Sequence, residues 1–249
     1  MKGPSVPSNL RVYAIGDIHG HADALHKMHE AISTDLLVAP PEHAHIVYLG
    51  DYIDRGPEND AVIDILIARQ ARGDGIPKTF LRGNHELALF EFMDHRPEGH
   101  DWLKWGGLDT LRNYGISLEK REFTPHEYAL IAENFRALFP ARHRTFLEEL
   151  SLTHTIGDYL FTHAGVDPFK PLHAQTQKDF TAIREPFLSW HKHAEYKPLE
   201  KKVVHGHSVE KEPSNLPHRI GVDTGLYKTG ILTAAVLQGN SVRYMQVGG

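Results

Sequence analysis

Short apolar runs alternate with amphipathic stretches along the chain. The runs are Leu10–Ile15, His45–Leu49, Thr79–Leu81, Tyr159–Thr162, Lys202–Val204, Ile220–Val222, Ile231–Leu237 and Ser241–Val247, and at this length they read as strands. Apolar residues at helical spacing cover about Ala22–Ser33, Glu58–Arg72 and His85–Phe92. From Asp101 to Leu150 the helical period continues without a convincing strand, which predicts a helical cap over about residues 94–150. Strands alternating with helices, then a closing part of strand and turn, predict an α/β (α+β) fold. Met1–Asn9 is rich in Pro and Ser with no apolar stretch. It reads as a flexible N-terminal arm rather than a signal peptide, ahead of a single domain over residues 10–249.

The polar residues are not scattered. Gly16-Asp17-Ile18-His19-Gly20 follows the first predicted strand, and Gly50-Asp51-Tyr52-Ile53-Asp54-Arg55-Gly56 follows the second. Arg82-Gly83-Asn84-His85-Glu86, His163-Ala164-Gly165 and His205-Gly206-His207 follow later ones. Ligands of open α/β sheets bind outside the carboxyl ends of the strands, so these clusters are expected to converge on one rim.

Composition narrows the chemistry. The 249 residues, 41% hydrophobic and 24% charged, suffice for one globular core. A formal net charge of −5 argues against a general nucleic-acid surface, and no apolar run is long enough to span a bilayer. A cytoplasmic setting is expected. The absence of cysteine excludes thiolate metal sites and a cysteinyl-phosphate intermediate. Of the 19 histidines, most must be surface or packing residues.

Carboxylates, imidazoles and one carboxamide form an oxygen–nitrogen donor set suited to Mn, Fe, Zn, Co or Ni. Asp17 and His19 can reach one ion, Asp51 can bridge two, and Asn84, His163 and His207 can complete the second. Two divalent ions bring about +4, of which two carboxylates cancel about half, so the centre calls for an anion such as phosphate. Arg55 could fork onto phosphate oxygens. His85 is free to protonate a leaving oxygen, with Asp54 holding its tautomer.

The motifs GDIHG, GDYIDRG, RGNHE, THAG and GHS closely resemble, in order and spacing, those of the PPP family of serine/threonine protein phosphatases, with their calcineurin-like metallophosphoesterase fold. Ile183-Arg184-Glu185-Pro186-Phe187 and Ile220-Gly221-Val222-Asp223-Thr224-Gly225 look like bacterial members. The resemblance implies a central β-sandwich flanked by helices in four layers. It implies Asp17, His19 and Asp51 on one metal, manganese foremost, and Asp51, Asn84, His163 and His207 on the other. His85 would be the general acid, oriented by Asp54, with Arg55 and Arg184 on phosphate. A bridging hydroxide would attack phosphorus directly.

His205 has the spacing of a last ligand, but the family pattern of Gly-His before a small or polar residue picks His207. Many related nucleases and phosphodiesterases carry a further histidine where Val209 stands here, which favours phosphomonoesters. The remaining histidines read as bland: His21, His26 and His29 as surface, His43, His45 and His154 as strand-edge residues. Trp102 and Trp105 read as cap core, with a part in shaping the substrate cleft as the alternative. The expected substrate is a phosphoserine or phosphothreonine protein or peptide, or a small phosphate ester, with neither nucleic acid nor membrane as partner. The alternatives are a symmetrical dinucleoside-tetraphosphate hydrolase, against which Glu86 argues weakly, and a non-catalytic binding module.

Overall fold

The computed structural model describes residues 3–119 and 122–248. In chain order the elements are β1 (Leu10–Ile15), α1 (Ala22–Val38), β2 (His43–Tyr48), α2 (Asn59–Ala71), β3 (Lys78–Phe80), α3 (Asn84–Met93), a 3-10 helix (Pro97–Trp105), α4 (Gly107–Asn113), α5 (Pro125–Leu138), α6 (Ala141–Glu148), β4 (Thr153–Ile156), β5 (Tyr159–Thr162), α7 (Gln177–Ala182), β6 (Lys202–His205), β7 (Ser214–Asn215), β8 (Arg219–Gly221), α8 (Leu226–Thr229), β9 (Ile231–Gln238) and β10 (Ser241–Gly248). They build two five-stranded mixed sheets, ordered β10-β9-β1-β2-β3 and β4-β5-β6-β8-β7. The centre of each is parallel: β1 with β2 and β2 with β3, then β5 with β6 and β6 with β8.

The two-residue period of the strands explains the layering. On β1, Val12 and Ala14 face the second sheet and meet Phe161, Val204 and Ile220. Tyr13 and Ile15 face the other way, into the helical layer with Leu25, Met28, Leu66 and Leu89. Both faces are buried, so these strands read as continuous apolar runs. The expected sandwich flanked by helices is therefore what forms.

The cap region is helical, as its period predicts. Thr124-Pro125 starts α5 with a capping box to Glu127. Trp102, Leu111 and Phe135 merge the cap into the core of the first helical layer. β4 and β7 escape the apolar pattern because β4 is mostly half-exposed and β7 has two residues. Ser5 and Val6 tie the N-terminal segment to the turns of both sheets: Val6 is buried, its N–H donates to Gly239 O between β9 and β10 at 2.9 Å, and Asp158 N–H between β4 and β5 donates to Ser5 O at 2.9 Å. His29 corrects a surface expectation, since it is buried with Nε2 2.9 Å from the Tyr48 hydroxyl. Among the described residues no helix is long and apolar enough to cross a membrane.

Candidate metal centre

The parallel strands deliver their polar loops to one rim. Asp17 and His19 follow β1, Asp51 to Arg55 follow β2, Asn84 and His85 open α3, His163 follows β5 and His207 follows β6. Their backbones are unusual. Non-glycine residues with positive φ are rare, yet His19, Asp51, Asp54, Arg55 and His207 all have it, at 45–74°. Two glycines allow the close approach. A Cβ at Gly83 would collide with Asp51 Oδ1, and one at Gly206 with Asp17 Oδ1.

The imidazoles are oriented from behind. His19 Nδ1 lies 2.8 Å from Ile53 O, His163 Nδ1 2.8 Å from Leu49 O, and His85 Nδ1 2.6 Å from Asp54 Oδ2. A carbonyl or carboxylate only accepts, so Nδ1 carries the proton and Nε2 turns inward. There, Asp51 Oδ2 lies 3.8 Å from both His19 and His85 Nε2 and 3.3 Å from His163 Nε2. Asn84 Oδ1 lies 3.2 Å from His163 Nε2. His207 Nε2 is buried and, among the described residues, has no hydrogen-bond partner.

Two donor groups result, His19/Asp51/His85 and Asp51/His163/His207, each with its donor atoms within 4.8 Å of one another. Asp51 is common to both. An unpartnered buried imidazole nitrogen beside such a shared carboxylate is what a pair of divalent ions requires. Asp17 stands outside both groups, and both its oxygens accept from His207 N–H at 3.1 Å. His85 occupies the first group instead. His205 is turned away: its Nε2 accepts from Arg219 Nη1 at 3.2 Å, and burial pushes the ring down to about 3.

The electrostatics are those of crowded, buried charge. Burial alone would raise the Asp51 carboxyl, but the surrounding imidazoles, His163 foremost, hold it well below its ordinary range. The same carboxylate overcomes burial at His163 and raises that ring to about 10. Asp17 moves the other way, raised by burial and by Asp223, a buried carboxylate the sequence reading did not single out. Arg55 spans the two rings of the first group, Nη1 donating to His19 Nε2 and Nη2 to His85 Nε2, each at 3.0 Å. Its guanidinium lies 4.3 Å over the Tyr227 ring. Arg184 is exposed across the cluster and donates to Ser208 Oγ at 3.3 Å and His207 O at 3.4 Å. Together Asp51, Arg55, His85, Arg184 and His207 line a cleft of about 340 Å³, walled also by Trp105, Val209 and Tyr227.

Three supporting side chains, Trp102, Thr110 and Glu86, had no such role assigned from the sequence. Asp54, fully buried, accepts from Trp102 Nε1 at 2.7 Å and Thr110 Oγ1 at 2.5 Å besides His85. Both donors come from the cap, 48 and 56 residues away. Glu86 accepts from the backbone N–H groups of Asp51, Tyr52 and Gly83 at 2.8–3.0 Å, tying two motif loops together. Burial pushes its carboxyl up to about 7. Trp105, expected in the cap core, is 44% exposed.

Comparisons with known proteins place the fold and the family. The asymmetrical bis(5'-nucleosyl)-tetraphosphatase PrpE of Bacillus thuringiensis is 26% identical over 238 residues, 88% of this chain and 87% of that protein. A crystal structure described as a candidate diadenosine tetraphosphatase matches with TM-score 0.65 and 21% identity, covering 98% of this chain and 99% of the other. The cold-active protein tyrosine phosphatase of a psychrophilic Shewanella matches with TM-score 0.57 and 17% identity, covering 98% and 83%. Residues 10–221 match the model of the calcineurin-like phosphoesterases, and the chain belongs to that family of metal-dependent phosphoesterases.

Proposed function

We propose that this chain hydrolyses dinucleoside polyphosphates at a two-metal centre held by Asp17, His19, Asp51, Asn84, His163 and His207. The observation behind the metal centre is the shared carboxylate: Asp51 belongs to both donor groups. Manganese is the foremost ion, and iron, zinc, cobalt or nickel suit the same donors. Such ions, when bound, supply Lewis-acid polarisation of the phosphoryl group and an activated water.

The protein's own groups do the rest. Arg55 contacts the imidazoles of the first donor group and Arg184 the His207 carbonyl beside the second, and both line the cleft, so a chain of phosphates can meet two guanidinium groups. His85 gives a proton to the leaving oxygen as the P–O bond breaks, and Asp54 keeps its ring aligned. Burial opposes charge on His85, but Asp51 and Asp54 together raise it above its ordinary value. Arg55 donates to His85 Nε2 in this arrangement, so the acid form requires the guanidinium to move off. A phosphate accepting the fork of Arg55 draws it away.

The motif resemblance puts a phosphoprotein first; relatives from Bacillus and Geobacillus named as asymmetrical rather than symmetrical tetraphosphatases favour the dinucleotide. A phosphoserine or phosphothreonine substrate is the second reading, and the support of Asp54 favours it. An alkoxide leaving group needs a proton more than a departing nucleotide phosphate does. The manganese-loaded protein assayed side by side on diadenosine tetraphosphate and a phosphoserine peptide should turn over the dinucleotide with the higher kcat/KM. Turnover of the peptide alone would reverse the order, and inertness on both would remove the enzymatic reading.

A further inference from the structure

We infer that the indole of Trp105 is the stacking platform of a nucleobase subsite, set beside the phosphate-binding guanidinium of Arg55 in the same cleft. This rests on the dinucleotide reading and deepens it.

Three observations meet at this residue. The first is exposure in the right place. Trp105 is 44% exposed, whereas Trp102 and Trp190 are fully buried, and the exposed indole lines the cleft of Arg55, His85 and His207. A tryptophan half-exposed inside a cleft offers a large, flat face on which a ring can stack.

The second is rigidity. Trp105 closes the 3-10 helix, and its carbonyl accepts from Arg55 Nε at 3.2 Å. The next residue, Gly106, has φ 118° and accepts from Arg55 N–H at 3.4 Å, where a Cβ would press on the Arg55 backbone. The backbone of Trp105 is thus latched to the phosphate-binding arginine while its side chain projects into the cleft. The backbone therefore needs no ordering when a flat ring is laid on the indole, and only side-chain freedom is lost.

The third is elimination within the cleft. Tyr227 lines it too, but one face carries the Arg55 guanidinium and its ring meets His19 edge-on at 5.4 Å. Among the described residues, Trp105 is the one aromatic side chain of the cleft that is exposed, Tyr227 being half-buried. Its ring centre lies 6.4 Å from that of His85. This places the platform a short reach from the leaving oxygen, about where a base would lie beyond its ribose.

The test uses the manganese-loaded full chain with Trp105→Ala and Trp105→Phe. Base stacking of ordinary strength predicts that Trp105→Ala raises KM for diadenosine tetraphosphate by about ten- to a hundredfold. kcat should change little, and Trp105→Phe should recover most of the loss. Inorganic tripolyphosphate, which has no ring, should inhibit the wild type and both variants with the same Ki. AMP should quench the fluorescence of the wild type and not of Trp105→Phe, whose remaining tryptophans are buried. An unchanged dinucleotide KM, or an equal loss of tripolyphosphate binding, overturns the platform. So does a penalty on a phosphotyrosine peptide without one on the dinucleotide, which would assign the ring to an aryl leaving group. A wild type that cleaves no dinucleotide refutes the proposed function, yet AMP quenching still decides the subsite: quenching upholds it, and its absence overturns it.

Discussion

Thr110 offers the sharpest test of how the cap takes part in the reaction. Its hydroxyl donates to Asp54 Oδ1 at 2.5 Å and accepts from Asp54 N–H at 3.1 Å, inside a region where Asp54 is wholly buried. Thr110→Val keeps the shape and deletes both bonds. A hydrogen bond to a charged acceptor contributes about 1.5–3 kcal/mol, which sets a ceiling of roughly ten- to 150-fold if the whole loss falls on the transition state. Asp54 keeps two donors, His85 Nδ1 and Trp102 Nε1, so the expected loss lies near the lower end, about tenfold in kcat.

The leaving group separates a positioning role from a structural one. A simple alkyl phosphate departs as a basic alkoxide and needs the His85 proton, whereas 2,4-dinitrophenolate departs without it. Thr110→Val should therefore slow the alkyl ester about tenfold, spare the dinitrophenyl ester, and leave KM and metal content unchanged. Trp102→Phe should show the same split with a greater loss of thermal stability, since it also opens a void among Phe92 and Phe135. An equal slowing of both esters would mean that the cap donors only hold the fold together. No slowing of either would mean that Asp54 needs no such help.

His207→Ala should lose about one metal ion per chain by elemental analysis, while His205→Ala, which breaks a contact with Arg219, should keep both. A chelator should abolish activity and lower the melting temperature, with manganese restoring both; unchanged activity after verified metal removal would contradict the two-ion centre. His29 is pushed by burial to about 3 from an ordinary 6.5, so between these values the unfolded chain binds a proton that the folded one refuses. Stability should fall as pH drops through that window, and His29→Gln, which cannot titrate, should flatten the fall in thermal melts. Glu86→Gln leaves one acceptor oxygen for three backbone N–H donors, so it should destabilise the fold by about 1–3 kcal/mol and reduce metal binding.

What the sequence made legible followed from local rules. β1 and β5 are found at the predicted residues because strands buried on both faces have an uninterrupted apolar run. The convergence of Asp51 with His19, His163 and His207 was legible because parallel strands deliver their loops to one rim. His29 was not legible, since a histidine on an amphipathic helix carries no local sign of the Tyr48 hydroxyl that receives it. Trp102 and Thr110 were hidden for the same reason. Their partner lies some fifty residues earlier, and only tertiary packing brings the cap down onto Asp54.

The strained loops show why that packing matters to the centre. Five of its residues hold positive φ without being glycine, at roughly 1 kcal/mol or more each by the usual measure of sparsely populated backbone. Local preference alone would relax them. What opposes relaxation is a set of acceptors: buried Glu86 on the backbone of Asp51 and Tyr52, buried Asp17 on that of His207, and the Gly106 carbonyl on that of Arg55. Two of these acceptors belong to the motifs and one to the cap. The donor groups are therefore held by contacts made only once the sheets and the cap have come together, which couples the geometry of the centre to the completeness of the fold.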